Sequence, residues 1–196
     1  MRIGSRAGSS RGIELRSAVA RGCINGPQFD RNRERLNQGD KIMMSIALSL
    51  HVLSVVVWVG GMFFAYMVLR PVAAVQLEVP RRLTLWAGVF SQFFPWVFLA
   101  VGLILATGLL MLINGFGGIR SASIDLRLML GTGIVMMMIF LHVYFAPFRR
   151  LKHAVSVEDW TAGSRHLAQI RMLIGINLII GLLTVVIAAG GRYLPV

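Results

Sequence analysis

Charged side chains are absent from four long stretches of this chain: between Lys41 and Arg70, Arg82 and Arg120, Arg127 and Arg149, and Arg171 and Arg192. About 20 largely apolar residues are enough for a helix to cross a hydrocarbon core of about 30 Å. The pattern therefore predicts four membrane spans, at 42–69, 83–113, 128–148 and 172–189. None of them carries the charged stripe at 3.6-residue spacing that a water-facing helix needs. Runs such as Val55-Val56-Val57 and Leu103-Ile104-Leu105 also lack the strict alternation of a transmembrane β-strand. The predicted fold is an all-α integral membrane four-helix bundle.

Two segments lie outside this pattern. Residues 1–41 are rich in Arg, Gly, Ser and Asn and contain no apolar run of signal-peptide length, which predicts a disordered basic tail ahead of a transmembrane domain over 42–196. Met43 and Met44 stand where the first span opens, so translation is expected to start there and the tail to be an upstream extension. Residues 149–171 mix Arg149, Arg150, Lys152, Glu158, Asp159 and Arg165 with Leu151, Val155, Trp160 and Leu167. That composition predicts an interfacial helix between the third and fourth spans, with Trp160 at headgroup depth. Gly115-Phe116-Gly117-Gly118 reads as a turn, since no strand precedes it and no Lys-Ser/Thr follows.

Composition sharpens the picture. The 196 residues are 56% hydrophobic and 14% charged, well below the roughly 25% charged residues usual in soluble domains. The net charge of +12 resides in the tail and between the spans rather than on a folded basic face, which argues against nucleic acid as a partner and for the lipid bilayer. Cys23 is the only cysteine, so neither an intramolecular disulfide nor a CxxC motif exists. Beyond the tail, Arg70, Arg81, Arg82, Arg149, Arg150, Lys152, Arg165 and Arg171 fall on one side of the membrane, against Arg120, Arg127 and Arg192 on the other. The positive-inside rule then predicts that loops 70–82 and 149–171 are cytoplasmic. The nine Lys and Arg of the tail, if present in the mature chain, reverse that balance.

Ionisable groups within membrane spans are costly and mark function. Here they are His51 in the first span and His142 near the end of the third. Ala47, His51, Ser54, Trp58, Gly61 and Ala65 recur at helical spacing and predict an inward face of small and polar residues. Asn177, Gly181, Thr184 and Ala188 repeat it in the fourth span, Gly88, Ser91, Gln92 and Pro95 lie in the first half of the second, and Pro95 is expected to kink its helix. The two spans carrying histidines run in the same direction. The imidazoles are thus separated in depth by roughly 15 Å, too far to share one metal ion or one haem as trans ligands. An outer level gathers His51 with Met111, Met129 and Thr184, and an inner level His142 with Gln92, Asn177, Met62 and Met138. Imidazole with thioether favours Cu(I), while packing and interhelical hydrogen bonding are the structural alternatives for the same residues. Trp58, Trp86 and Trp96 read as packing or interfacial residues.

The run Leu50-His51-Val52-Leu53-Ser54-Val55-Val56-Val57-Trp58-Val59-Gly60-Gly61-Met62 resembles the first helix of CopD-type copper-resistance membrane proteins. Phe145-Ala146-Pro147-Phe148-Arg149-Arg150 after His142, and Gly190-Gly191-Arg192-Tyr193 near the end, are similar to small bacterial members of that group. The resemblance implies a multi-pass protein of the bacterial inner membrane that handles copper by transport or tolerance rather than by catalysis. It also implies a periplasmic copper-binding protein as a partner, with His51 and His142 as ligands and Trp58 as a supporting neighbour. The same layout is distantly similar to the HemJ-type protoporphyrinogen oxidases, which implies haem b as the alternative cofactor; Arg127 stands where that group has a lysine.

The orientation is testable in a Cys23→Ser background. Single Ala74→Cys and Ser156→Cys variants are expected to resist an impermeant thiol reagent in intact cells, whereas Ser121→Cys reacts. Labelling of Ala74→Cys from outside reverses the topology.

Overall fold

The computed structural model describes residues 27–114 and 124–190, with side chains from Gln38 onward except that of Asp125. Residues 1–26 of the tail, the Gly115–Gly118 turn and residues 191–196 lie outside the described residues. The chain divides into two compact units, Met1–Ile46 and Ala47–Val196. In the first, the described backbone is helical from Pro27, so regular structure occurs within the tail where the composition predicts none. The second unit holds the bundle.

Six α-helices and two π-helical turns make up the described secondary structure: α1 (Pro27–Phe64), a π turn (Ala65–Leu69), α2 (Arg70–Gln76), α3 (Val79–Asn114), α4 (Ile124–Val143), a second π turn (Tyr144–Phe148), α5 (Arg149–Ser156) and α6 (Trp160–Gly190). Four continuous helical segments, Gln38–Gln76, Val79–Asn114, Leu126–Ser156 and Trp160–Gly190, are long and apolar enough to cross a membrane. An all-helical solution follows from the solvent: in hydrocarbon every backbone N–H and C=O must be satisfied within its own segment. The four expected spans are present, and each helix extends beyond its predicted limits at both ends.

Both π turns occur beside proline. Pro71 follows the first by one residue, and Pro147 lies inside the second. A proline lacks the N–H that an α-helix uses and its ring crowds the carbonyl four residues earlier. One extra residue in the turn relieves both, and the helices continue to Gln76 and Ser156. Pro95 is handled differently, on an exposed side of an α3 that runs unbroken through it.

The segment between the third and fourth spans is partitioned rather than built as one piece. Its amphipathic part is α5, continuous with the third crossing, with Leu151 and Ala154 buried and Arg150, Lys152 and His153 exposed. Val157–Asp159 then reverses the chain, and Trp160 already opens α6. Asp159 N–H donates to Ala154 O at 2.9 Å and Glu158 N–H to Val155 O at 3.3 Å, closing α5 with Glu158 in the left-handed region at φ 56°. Asp159 next caps α6, its Oδ1 accepting from Ala162 N–H at 2.9 Å. A two-residue link, Leu77 and Glu78, makes the other reversal on this side, between α2 and α3.

The core is mainly aromatic. Trp86, Phe90, Phe94 and Phe98 follow one another along α3 at four-residue spacing, and Phe140, Tyr144 and Phe148 do so along the third crossing. Phe94 meets Phe90 in a stacked pair at 5.3 Å and meets Phe140, Tyr144 and Phe148 edge-on at 5.6, 5.9 and 4.7 Å. Trp58 of α1 joins through Phe140 at 6.1 Å. Close backbone approaches complete the packing. A Cβ at Gly61 collides with the Phe93 ring, and one at Gly181 comes within 3.0 Å of Met136 Cε and 3.1 Å of Val59 Cγ2. Large apolar side chains such as Leu53, Val56, Leu109, Ile179 and Val186 are more than half exposed, as lipid-facing residues are.

The turn at Val157–Asp159 separates two backbone effects. Glu158→Gly removes a Cβ from a left-handed position and is expected to raise stability in detergent by about 1 kcal/mol. Asp159→Ala deletes the cap and is expected to lower it by about 1 kcal/mol. Thermal unfolding of the two purified variants checks both signs, and a Glu158→Gly variant melting below the parent refutes the strain argument.

Candidate functional site

The inward face read on the first span is inward. Ala47, Ser54, Trp58 and Ala65 are buried and His51 and Gly61 are half-buried. Gly61 lets the Phe93 ring rest on the α1 backbone, and α1 with the π turn after it meets α6 along an antiparallel line of close pairs: Val59 with Gly181, Met62 with Asn177, and Tyr66 with Gly175. Polar groups on this face define two levels.

At the outer level His51 Nδ1 lies 2.9 Å from Thr107 Oγ1 of α3. The Thr107 hydroxyl also reaches the Leu103 carbonyl oxygen at 2.5 Å, and with its single proton there it accepts from the ring. The tautomer that matches this arrangement carries its proton on Nδ1 and its lone pair on Nε2. A ring nitrogen anchored in this way leaves the other as a ligand, the arrangement usual for metal-binding histidine. Gly108 supplies the room, since a Cβ there lies only 3.5 Å from the ring Cε1. Beside this level, Thr184 Oγ1 donates back to Ile180 O at 2.8 Å, and its oxygen lies 2.9 Å from Thr132 Oγ1 across α4 and α6. Thr184 is thus engaged with Thr132, and Met111 and Met129 are half-buried.

The inner level centres on Asn177, which is 3% exposed. Its Nδ2 donates to Met62 Sδ at 3.5 Å, whereas its Oδ1 is buried with no hydrogen-bond partner. A cavity of about 20 Å³ adjoins it, lined by Trp58, Met62, Phe94, Phe140 and Leu173 among others. That volume admits one water or a single ion. Met136 is 4% exposed and lies against Gly181, one turn of α6 from Asn177. His51 and Met62 share one face of α1, eleven residues and about 16 Å apart along its axis.

The other expected members of the inner level are elsewhere. His142 and Gln92 are exposed, Met138 is 64% exposed, and none of them joins Asn177 and Met62. The third crossing buries Met136, Phe140, Val143 and Pro147, a stripe that turns positions 138 and 142 outward. On α3 the buried side is Leu83, Trp86, Phe90, Phe94 and Val97, and bulky rings there displace the small face Gly88, Ser91, Gln92 and Pro95 to the outside. Ser91 tolerates this because its hydroxyl donates to the Ala87 carbonyl at 2.7 Å. Trp58 and Trp86 pack in the core, Trp96 is 62% exposed, and Arg127 is exposed near the start of α4.

Two residues escaped the sequence reading. Thr107 continues the α3 stripe of Val97, Ala100 and Ile104, and a threonine in that stripe opposite a histidine was the available signal. Met136 is four residues before Phe140, which distinguishes it from its neighbours Met137 and Met138. Among the described residues no three His, Cys, Asp or Glu side chains come together. A shallow depression of about 350 Å³, lined by Arg149, Arg150, His153, Asp159 and His166, lies at the α5–α6 turn and not at either level.

The chain matches the family model described as copper resistance protein D over residues 87–190. The match takes in Thr107, His142 and Asn177 but begins after His51 and Met62. No curated protein and no solved structure matches the chain. Three of the four helices long and apolar enough to span a bilayer carry that match across more than half of the sequence, and the chain belongs to the copper resistance protein D family of membrane proteins.

Proposed function

We propose that this protein handles copper at the bacterial inner membrane, by transport or tolerance and without catalysing a reaction. Copper is the cargo, taken up at the outer level by His51 Nε2 and passed inward along the α1–α6 line to Met62 and Asn177. The observation that carries the reading is the inner pair: a thioether beside an amide oxygen with no protein partner, at a cavity of about 20 Å³. Leaving such an oxygen unpaired costs about 1–3 kcal/mol, which a bound cation repays. Thioether and imidazole are the donors that prefer Cu(I) among common metals. Met136 supplies a further buried thioether close to the line.

The family match supports copper as the subject of this chemistry, and loops 70–82 and 149–171 are taken as cytoplasmic on the distribution of Lys and Arg. His51 then faces the periplasmic half of the membrane, where a periplasmic copper-binding protein is the fitting donor or acceptor. The b-haem alternative, with His51 or His142 as axial ligand, has less support, because the family model that matches the chain is that of copper resistance protein D.

The test compares copper content and melting temperature in protein purified from copper-supplemented cells. His51→Ala and Met62→Leu are expected to lose most of the bound copper while still inserting. Thr107→Val keeps the ring but removes the partner of its Nδ1, so weaker copper retention is expected, about 10- to 100-fold in affinity. A purely structural His51 predicts instead unchanged copper and a stability loss of about 0.6 to 2 kcal/mol. Unchanged copper content in both His51→Ala and Met62→Leu sinks the proposal.

A further inference from the structure

Arg70, Arg82 and Arg171 each mark the boundary of an uncharged span: the first ends the first span, and the other two begin the second and fourth. Successive spans alternate in direction, so all three belong to one face of the membrane, at the depth where hydrocarbon gives way to headgroups. The structure gathers them there. Each is half-buried, the Arg70 guanidinium carbon stands 4.8 Å above the centre of the Tyr66 ring, and the charges of Arg70 and Arg82 both act on Arg171. Tyr66 ties the group to α6, because a Cβ at Gly175, one turn beyond Arg171, lies 3.0 Å from its Cε2 and 3.3 Å from its hydroxyl.

The cluster has no compensating carboxylate: among the described residues none of the three arginines forms an ion pair. Like charges held together at the edge of a low-dielectric medium repel with little screening. Arg70 has its π face on Tyr66, which leaves the N–H edges of its guanidinium available. Guanidinium groups from three helices, with a phenol hydroxyl beside them, form a donor set suited to a tetrahedral anion, which each arginine can engage through two parallel hydrogen bonds.

We propose that Arg70, Arg82 and Arg171 form a binding site for the headgroup phosphodiester of an anionic phospholipid. The lipid source is favoured over a free anion by depth, because the site lies where the charged boundary meets exposed apolar residues. Met67, Val68 and Met172, adjoining Arg70 and Arg171 in sequence, are 55%, 45% and 60% exposed and offer a surface for acyl chains. The site is independent of copper. It joins the ends of three crossings, so the bound lipid acts as a counter-ion between α2, α3 and α6.

The full chain in nanodiscs of phosphatidylcholine, with and without phosphatidylglycerol, provides the test, with inorganic phosphate added to the phosphatidylcholine discs as the second arm. Bound lipid is counted by mass spectrometry after release, and thermal unfolding is read in parallel. Wild type is expected to retain phosphatidylglycerol over phosphatidylcholine and to melt higher in its presence. Arg171→Gln and Arg70→Gln are expected to weaken that retention about fivefold each, the effect of one interfacial charge. Arg81→Gln makes the same change in net charge at an exposed position and is expected to leave retention unchanged. Equal retention in Arg171→Gln and Arg81→Gln overturns the site in favour of general surface attraction. Protection by inorganic phosphate equal to that by phosphatidylglycerol overturns the lipid assignment. If Arg171→Gln does not accumulate, Arg82→Gln carries the same comparison.

Discussion

The contact on which the bundle turns is the one around Phe94. Its ring lies among Phe90, Phe140, Tyr144 and Phe148, stacked on the first and edge-on to the others. In a bilayer the hydrophobic effect does not draw helices together, because lipid chains are as apolar as leucine. What remains is close packing and the electrostatic preference of aromatic rings for stacked and edge-on geometry, worth about 0.5–1.5 kcal/mol per pair beyond area burial. Rings spaced four apart on α3 and on the third crossing repeat that contact over several turns, which sets the register of those helices. Trp58 extends the seam to α1 through Phe140.

Register is what brings the chemistry together. With Trp58 and Gly61 seated against Phe140 and Phe93, His51 falls opposite Thr107, and Met62 falls opposite Asn177. Most hydroxyls in the spans satisfy themselves locally, as Ser54 does with Leu50 O, Ser91 with Ala87 O and Thr107 with Leu103 O. Such groups cost little wherever they face. Asn177 Oδ1 and the three boundary arginines differ in lacking compensation among the described residues, one an acceptor in the core and the others cations at the interface. In the two proposals a cation answers the first and an anion the second, and their different depths keep the two sites chemically separate.

Four spans were legible from the chain because the bilayer imposes a length and a charge rule that any single segment must obey by itself. The inward face of the first span was legible too, since Ala47, His51, Ser54, Trp58, Gly61 and Ala65 repeat at the helical period and small or polar groups have one favourable side. The motif around His51 and the glycine pair also pointed to the family that the match over residues 87–190 supports. Tertiary structure decided which side of α3 and of the third crossing faces inward, because both sides of each helix are apolar and periodicity alone does not rank them. Phe94 and its neighbours took the interior of α3, leaving Gln92 outside, and the stripe through Met136 and Phe140 turned His142 and Met138 away from Asn177. The contact of His51 with Thr107, the unpaired oxygen of Asn177 and the gathering of Arg70, Arg82 and Arg171 each depend on residues from different helices. No single segment carries those distances; they exist only once the helices have packed.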